Sequence, residues 1–383
     1  MNAKTFRKAI SAAVTAALIC AALLLSGCGS PESSAGASPE KTGSMDLSYA
    51  TQFSVDYYAD GTSHVKIGDG LEYLLVPEGT EAPDPGEGVT VIQTPVKKAY
   101  VAASSSMDLI NAAGGMDSVI MTSTEAKDWA IPEVREAVES DKIRFIGKYS
   151  APDYETLLED EADLAIESTM IYHKPQVKEA IEELGIPVLV ERSSYENDPL
   201  ARLEWIKLYG LLFGREDEAE AFFDDAVAKV SSVDTASVKE TPSVAFFSVN
   251  SAGAVVVRKP GDYITKMIET AGGRYALDGI SAEEDNALST MNMQMEAFYD
   301  KAVGADILIY NSAIESDLSS VSDLTALSEQ FEDFAAVKSG NVWCTNKNVY
   351  QKTTGAADMI TELNMIFAGA DDDSGMEYFH KLK

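Results

Sequence analysis

From residue 90 onward the chain repeats one pattern: a short apolar run, a turn, then a helical stretch. Apolar runs at residues 99–103, 118–121, 143–146, 164–166 and 188–190 alternate with helix-forming stretches at 107–113, 132–140, 153–159 and 175–184. Strands that are apolar on both faces and separated by helices build βαβ units, which assemble into a mostly parallel sheet. A second set follows the same style, with strands at 243–247, 254–257, 306–310 and 341–344 and helices at 262–271, 295–301 and 355–367. Gly272 and Gly273 close the first of these helices as a C-terminal cap. Between the sets, Leu203, Ile206, Leu208, Leu211, Leu212 and Phe213 form the apolar face of a helical connector, and Gly210 and Gly214 allow a break in it. The expected fold class is α/β: two Rossmann-like lobes joined by a long rigid helix.

A different pattern precedes the lobes. Residues 53–58 and 64–67 alternate apolar and polar, with turns at Asp60-Gly61 and at Gly68-Asp69-Gly70, and a third run follows at 71–76. Asp-Gly between alternating runs signals a hairpin, so an N-terminal β-ribbon extension of two or three strands is expected. Earlier still, Lys4, Arg7 and Lys8 precede an apolar run at 9–25, and Leu25-Ser26-Gly27-Cys28 follows. A charged start, a short apolar core and small residues before a cut site make a secretory signal. The last four residues resemble the bacterial lipobox, which implies cleavage before Cys28 and a lipid on that cysteine. The Ser, Gly, Pro, Ala and Glu-rich stretch after it cannot bury a core and reads as a tether. The expected divisions are 1–27 signal peptide, 28–46 tether, 47–89 β-ribbon, 90–198 first lobe, 199–234 connecting helices and 235–383 second lobe.

The net charge of −32 argues against nucleic acid as a partner. It suits an exported soluble body or docking onto a basic partner. The three histidines, His64, His173 and His380, show no metal-ligand spacing, so no metal site is expected. Cys20 lies in the signal and Cys28 is the lipid site, which leaves Cys344 alone and no intramolecular disulfide. No nucleophile elbow or P-loop appears, and the serines at 104–106 lack flanking glycines and a nearby His, so an enzyme is not expected.

Several blocks occur in a telling order. They are Pro152-Asp153-Tyr154-Glu155 leading to Leu164-Ala165-Ile166, then Leu184-Gly185-Ile186-Pro187, Leu211-Leu212-Phe213-Gly214-Arg215-Glu216, Ala271-Gly272-Gly273, and Val337-Lys338-Ser339-Gly340-Asn341-Val342-Trp343. Together they resemble the class III substrate-binding proteins of ABC importers, over about residue 95 to the last helix. Two departures stand out: the β-ribbon is not part of the general pattern, and Ala162 stands where the family usually has proline.

The resemblance implies a monomeric, lipid-anchored extracytoplasmic receptor. It would take a small-molecule metal chelate of the iron–siderophore type and pass it to an ABC permease and ATPase complex. Cobalamin or another cobamide, or haem, are the alternatives. Ligands of open α/β sheets sit beyond the carboxyl ends of the strands. That places the contacts within residues 104–107, 122–129, 148–150, 167–172 and 192–195 of the first lobe. In the second lobe the stretches are 248–250, 258–263, 287–291, Asn311 and 346–350. From these stretches Tyr149, Ser168, Met170, Tyr172, Arg192, Tyr195, Ser248, Asn250, Arg258 and Tyr263 are the expected ligand-facing residues. Either arginine could instead pair with a nearby acid, Glu191 or Asp262. Trp129 is the most exposed large aromatic by position, or else packs against its own helix. Tyr172-His173 could ligate haem iron. Glu155 and Glu296, one acid per lobe near a helix start, match the residues that dock such receptors onto permease arginines; the helix dipole favours acids there in any case.

Overall fold

The computed structural model describes residues 39–68, 70–280, 289–312 and 317–383. The export segment, Cys28, the first part of the tether and Ala287 lie outside the described residues.

The N-terminal extension is a five-stranded sheet in the order β1-β2-β3-β4-β5: Lys41–Ser44, Phe53–Tyr58, Ser63–Ile67, Leu71–Pro77 and Val89–Thr94. Two expectations are corrected here. Residues 41–44, assigned by composition to the tether, form a strand. All four are exposed, and backbone pairing with β2 holds them, helped by Lys41 and Ser44 on Asp56 at 2.7 and 2.8 Å. The strand buries nothing, so hydropathy carries no trace of it. The boundary at residue 90 falls inside β5, which runs parallel to β4 after a crossover too short to look like a domain linker.

The first lobe has the expected parallel sheet. Its strands are β6 (Ala99–Val101), β7 (Val119–Thr122), β8 (Arg144–Phe145), β9 (Leu164–Ser168) and β10 (Val188–Glu191), ordered β10-β9-β6-β7-β8. Helices α1 (Ser104–Ala112), α2 (Pro132–Glu139), α3 (Tyr154–Glu159) and α4 (Pro175–Glu183) cover it. The connector is three helices rather than one: α5 (Pro199–Glu204), α6 (Ile206–Phe213) and α7 (Glu216–Ser231). The sharp break falls at Gly214. Gly210 stays helical and permits close packing instead, since a Cβ there would lie 2.7 Å from that of Ala219 on α7.

The second lobe departs from the βα style. Strands β11 (Ser243–Val249), β12 (Val255–Arg258), β13 (Arg274–Tyr275), β14 (Thr290–Met293), β15 (Ile307–Tyr310), β16 (Val342–Thr345) and β17 (Phe379–Lys381) form a mixed sheet. Only β13, β15 and β16 continue the parallel set with β11; β12, β14 and β17 are antiparallel additions. Its helices are α8 (Tyr263–Thr270), α9 (Met295–Ala302), α10 (Val321–Leu327), α11 (Ala335–Ser339) and α12 (Ala356–Phe367). Phe247, Phe298, Phe331 and Phe334 stack in its core with centroids 4.7–6.4 Å apart.

Packing shows that the extension is not an appendage. Phe53, Val65, Ile67, Tyr73 and Ile92 share one buried cluster with first-lobe residues and with connector residues Trp205, Leu208 and Leu212. The Phe53 and Trp205 rings lie 4.8 Å apart. Tyr73 caps the open edge of the first-lobe sheet: its hydroxyl accepts the Val190 N–H at 3.1 Å, a backbone donor that would otherwise be buried without a partner.

Candidate functional site

The strand exits of the two lobes meet. Thr354 N–H donates to Asp108 on α1 at 2.7 Å, while Gln351 accepts from Ala130 N–H at 2.6 Å and donates to the Asp128 carbonyl at 2.8 Å. Residues 351–354, just past β16, thus bind the exits of β6 and β7. Burial pushes the Asp108 carboxyl up to about 6, although the Thr354 bond works the other way.

On the first-lobe side, β9 ends at Ser168, whose hydroxyl accepts the Met170 N–H at 3.3 Å and starts a 3-10 turn. That turn presents Met170 and Tyr172, 49% and 48% exposed. One thioether and one aromatic ring thus stand open to solvent on a single turn, a small shelf at the end of β9. Beside it, Arg192 leaves β10 and lies 4.4 Å over the Tyr195 ring. Its guanidinium is close enough to oppose the rise that burial gives the Tyr172 hydroxyl. Arg192 does not pair with Glu191, which accepts from Ser105 Oγ and Ser193 N–H. Tyr149 is half-buried against the cluster under α3 and α4.

On the second-lobe side, Arg258 is buried. It donates to Ser289 Oγ at 3.0 Å and to the Tyr350 hydroxyl at 2.6 Å, and it pairs with Asp262 at 3.4 Å. Asn311 Nδ2 reaches the same Tyr350 hydroxyl at 3.0 Å. Burial works against the Arg258 charge, and Tyr263, Tyr350 and Asp262 more than offset it. The alternative of a neighbouring acid therefore holds for Arg258: it ties β12 to α8 and to the loop after β16. The Tyr263 ring is sandwiched near Arg202 and Arg258, at 3.9 and 5.2 Å. Ser248 is buried within β11. The Asn250 side-chain oxygen is committed to its own turn, accepting from Ala252 and Ala254 N–H at 3.0 Å each.

Trp129 is 1% exposed and donates to the Thr124 carbonyl at 3.2 Å. It belongs to the buried cluster that also holds Ile131 and Val134 of the following segment, so it is not an exposed aromatic. His173 is exposed on the same turn as Tyr172. One acid–thiol–imidazole group, Asp317, Cys344 and His380, converges among the described residues. Both ring nitrogens of His380 are already within 2.8 Å of Asn346 Oδ1 and the Leu318 carbonyl, so this group ties β16 to β17.

Sequence reasoning missed Arg202, Asp108 and Gln351, which matter through contacts between distant segments. It also gave no role to Glu167. That carboxyl is fully buried at the end of β9, and neither oxygen has a hydrogen-bond partner. The Tyr100 hydroxyl is buried nearby, with Ser123 as a polar neighbour.

A family model described as periplasmic binding protein matches residues 101–348. An uncharacterized lipoprotein of Methanocaldococcus jannaschii is 24% identical over 345 residues, covering 82% of this chain and 79% of its own. A second lipoprotein of that organism is 24% identical over 367 residues, covering 92% and 90%. Among solved structures, a periplasmic binding protein from Veillonella parvula is similar at TM-score 0.59 and 16% identity, over 72% of this chain and 92% of that one. The periplasmic heme binding protein HutB of Vibrio cholerae gives 0.57 and 16%, over 70% and 98%. The petrobactin-binding protein YclQ of Bacillus subtilis gives 0.55 and 18%, over 71% and 90%. At these identities the structural likeness speaks to the fold alone.

Proposed function

The chain belongs to the periplasmic binding protein family, and from that premise we propose that it captures an iron–siderophore-type chelate between its lobes and delivers it to an ABC permease and ATPase complex. The observation that carries the reading is the exposed shelf of Met170 and Tyr172 beside the Arg192–Tyr195 stack. Aromatic and thioether surface suits the organic shell of a chelate, and a guanidinium suits its anionic groups. Arg258, held by Asp262, Ser289 and Tyr350, serves to fix the opposite wall, where the half-buried Tyr350 supplies surface and Tyr263 is buried. The relatives described as lipoproteins support a lipid on Cys28, which would hold a monomeric receptor at the outer face of a membrane. Tethering raises its effective concentration at the permease.

Haem is the second reading, favoured by Tyr172 and His173 standing exposed on one turn. A cobamide is the third. No catalytic role is assigned.

Glu155 and Glu296 are exposed in the first turns of α3 and α9, as docking acids need to be. Reversing both, Glu155→Lys with Glu296→Lys, is expected to leave chelate affinity unchanged and to abolish uptake of radiolabelled iron chelate by cells that depend on this protein. Loss of affinity in the purified variant, or normal uptake, would refute the assignment.

A further inference from the structure

The N-terminal sheet lies outside the residues matched by the family model, which begins at residue 101. Yet its β3–β4 hairpin ends against the strand-exit loop that carries Arg192. Gly68 is the point of contact. A Cβ there would lie 2.5 Å from Arg192 Nη1 and 2.8 Å from Cζ, so the guanidinium lies directly on a backbone that only glycine leaves bare. Three residues further on, Leu71 packs against both clusters that hold first-lobe residues, and Tyr73 holds the Val190 N–H just before the loop. The result is a guanidinium fixed between Gly68 and the Tyr195 ring, 4.4 Å away. Among the described residues no carboxylate pairs with it, and its buried Nε has no hydrogen-bond partner. A positively charged group placed so firmly, unneutralised and next to an exposed shelf, is prepared for an anion from outside the chain.

We propose that the N-terminal sheet is a working part of the ligand site: its hairpin fixes Arg192 through Gly68, and the Tyr172–Arg192–Tyr195 wall so formed selects chelates that carry anionic groups. This rests on the chelate reading above and adds to it a charge class and a positioning residue, Gly68. Recognition by an arginine with one fixed orientation loses less entropy on binding than recognition by a free surface arginine.

The test uses the full chain with Cys28→Ser, titrated with an anionic ferric tricatecholate and a neutral ferric trihydroxamate. Gly68→Asn places a side chain where the guanidinium lies, and Asn tolerates the left-handed φ of +55° better than other side chains do. Gly68→Ala, whose Cβ alone meets Nη1, serves if the Asn variant does not fold. Both Gly68→Asn and Arg192→Met are expected to weaken tricatecholate binding roughly tenfold or more, as loss of a charge-assisted contact does. The double variant should bind no worse than Arg192→Met alone, because Gly68 acts only through Arg192. Affinity for the neutral chelate should fall several-fold less than that for the tricatecholate in all three. A folded Gly68 variant with wild-type tricatecholate affinity overturns the proposal. So does wild-type protein that binds only the neutral chelate, which leaves the chelate reading standing. If the wild type binds neither these chelates nor haem, the chelate reading itself fails and the proposal with it.

Discussion

Glu204→Ala is expected to destabilise the protein by about 4 kcal/mol, the range seen when a buried charge-assisted network loses one member. Glu204 is fully buried in α5. Its carboxylate accepts the backbone N–H groups of Ser48, Tyr49 and Ala50 at 2.9, 2.8 and 2.7 Å, and Lys207 lies 3.5 Å away. The next two N–H groups, of Thr51 and Gln52, end on Glu196 at 2.9 and 2.8 Å; Glu196 also accepts from Trp205 Nε1 at 3.1 Å. Five consecutive backbone donors are thus satisfied by two acids, in a segment that makes no strand of its own. Removing one acid leaves three part-buried backbone donors without their acceptor and deprives Lys207 of its buried partner, leaving it Glu220 at 3.2 Å and the Asp46 carbonyl at 3.1 Å. Glu204→Gln, which keeps one accepting oxygen, should cost less than half as much. Urea unfolding gives the magnitude, and amide hydrogen exchange gives the place: protection at residues 48–50 should vanish in the Ala variant. An unchanged unfolding midpoint would mean that the extension is not clamped in this way.

Glu167→Gln should act in the opposite direction and stabilise the protein at neutral and alkaline pH. Burial pushes the Glu167 carboxyl from its ordinary 4.5 to about 8. The folded protein therefore keeps this proton up to about pH 8, while the unfolded chain gives it up above about 4.5. Between those values unfolding releases a proton, so the contribution of this group to stability falls as pH rises and is flat above pH 8. The accumulated cost at pH 8 is on the order of 3 kcal/mol. Glutamine carries no proton to lose, so the variant should match the wild type near pH 4.5 and exceed it in melting temperature at pH 8. Asp108, pushed up to about 6 by burial at the lobe contact, leaves a smaller pH dependence of the same sign in both proteins. Identical pH profiles for the two would show that Glu167 is ionised in the folded state through a partner.

What the sequence revealed follows from which forces hold each element. The first-lobe strands are buried on both faces, and runs such as Leu164-Ala165-Ile166 and Val188-Leu189-Val190 announce themselves. β1 is held by backbone pairing and by two polar contacts with Asp56, and hydropathy registers neither. β14 and β17 are short antiparallel additions whose existence depends on neighbours far away in the chain. The site divides in the same way. Strand-exit loops are legible because they are tied to the strands, and Tyr172, Arg192 and Tyr195 come together on two of them. Arg258 lies in the right stretch, but an acid four residues on engages it, a choice that sequence leaves open. Glu196 and Glu204 read as ordinary acids in an acidic chain. Their role comes from a segment about 150 residues earlier, and no local pattern connects the two. The contact of Gly68 with Arg192 is hidden for the same reason.

The central claim, that this chain is a receptor which binds and releases an intact metal chelate, is tested most directly by isothermal titration calorimetry of the full chain with Cys28→Ser, followed by recovery of the bound compound. The account predicts saturation at one ferric chelate per chain, with the chelate recovered chemically unchanged. Failure of ferric siderophores, haem and cobamides alike to bind, or recovery of an altered compound, would contradict it.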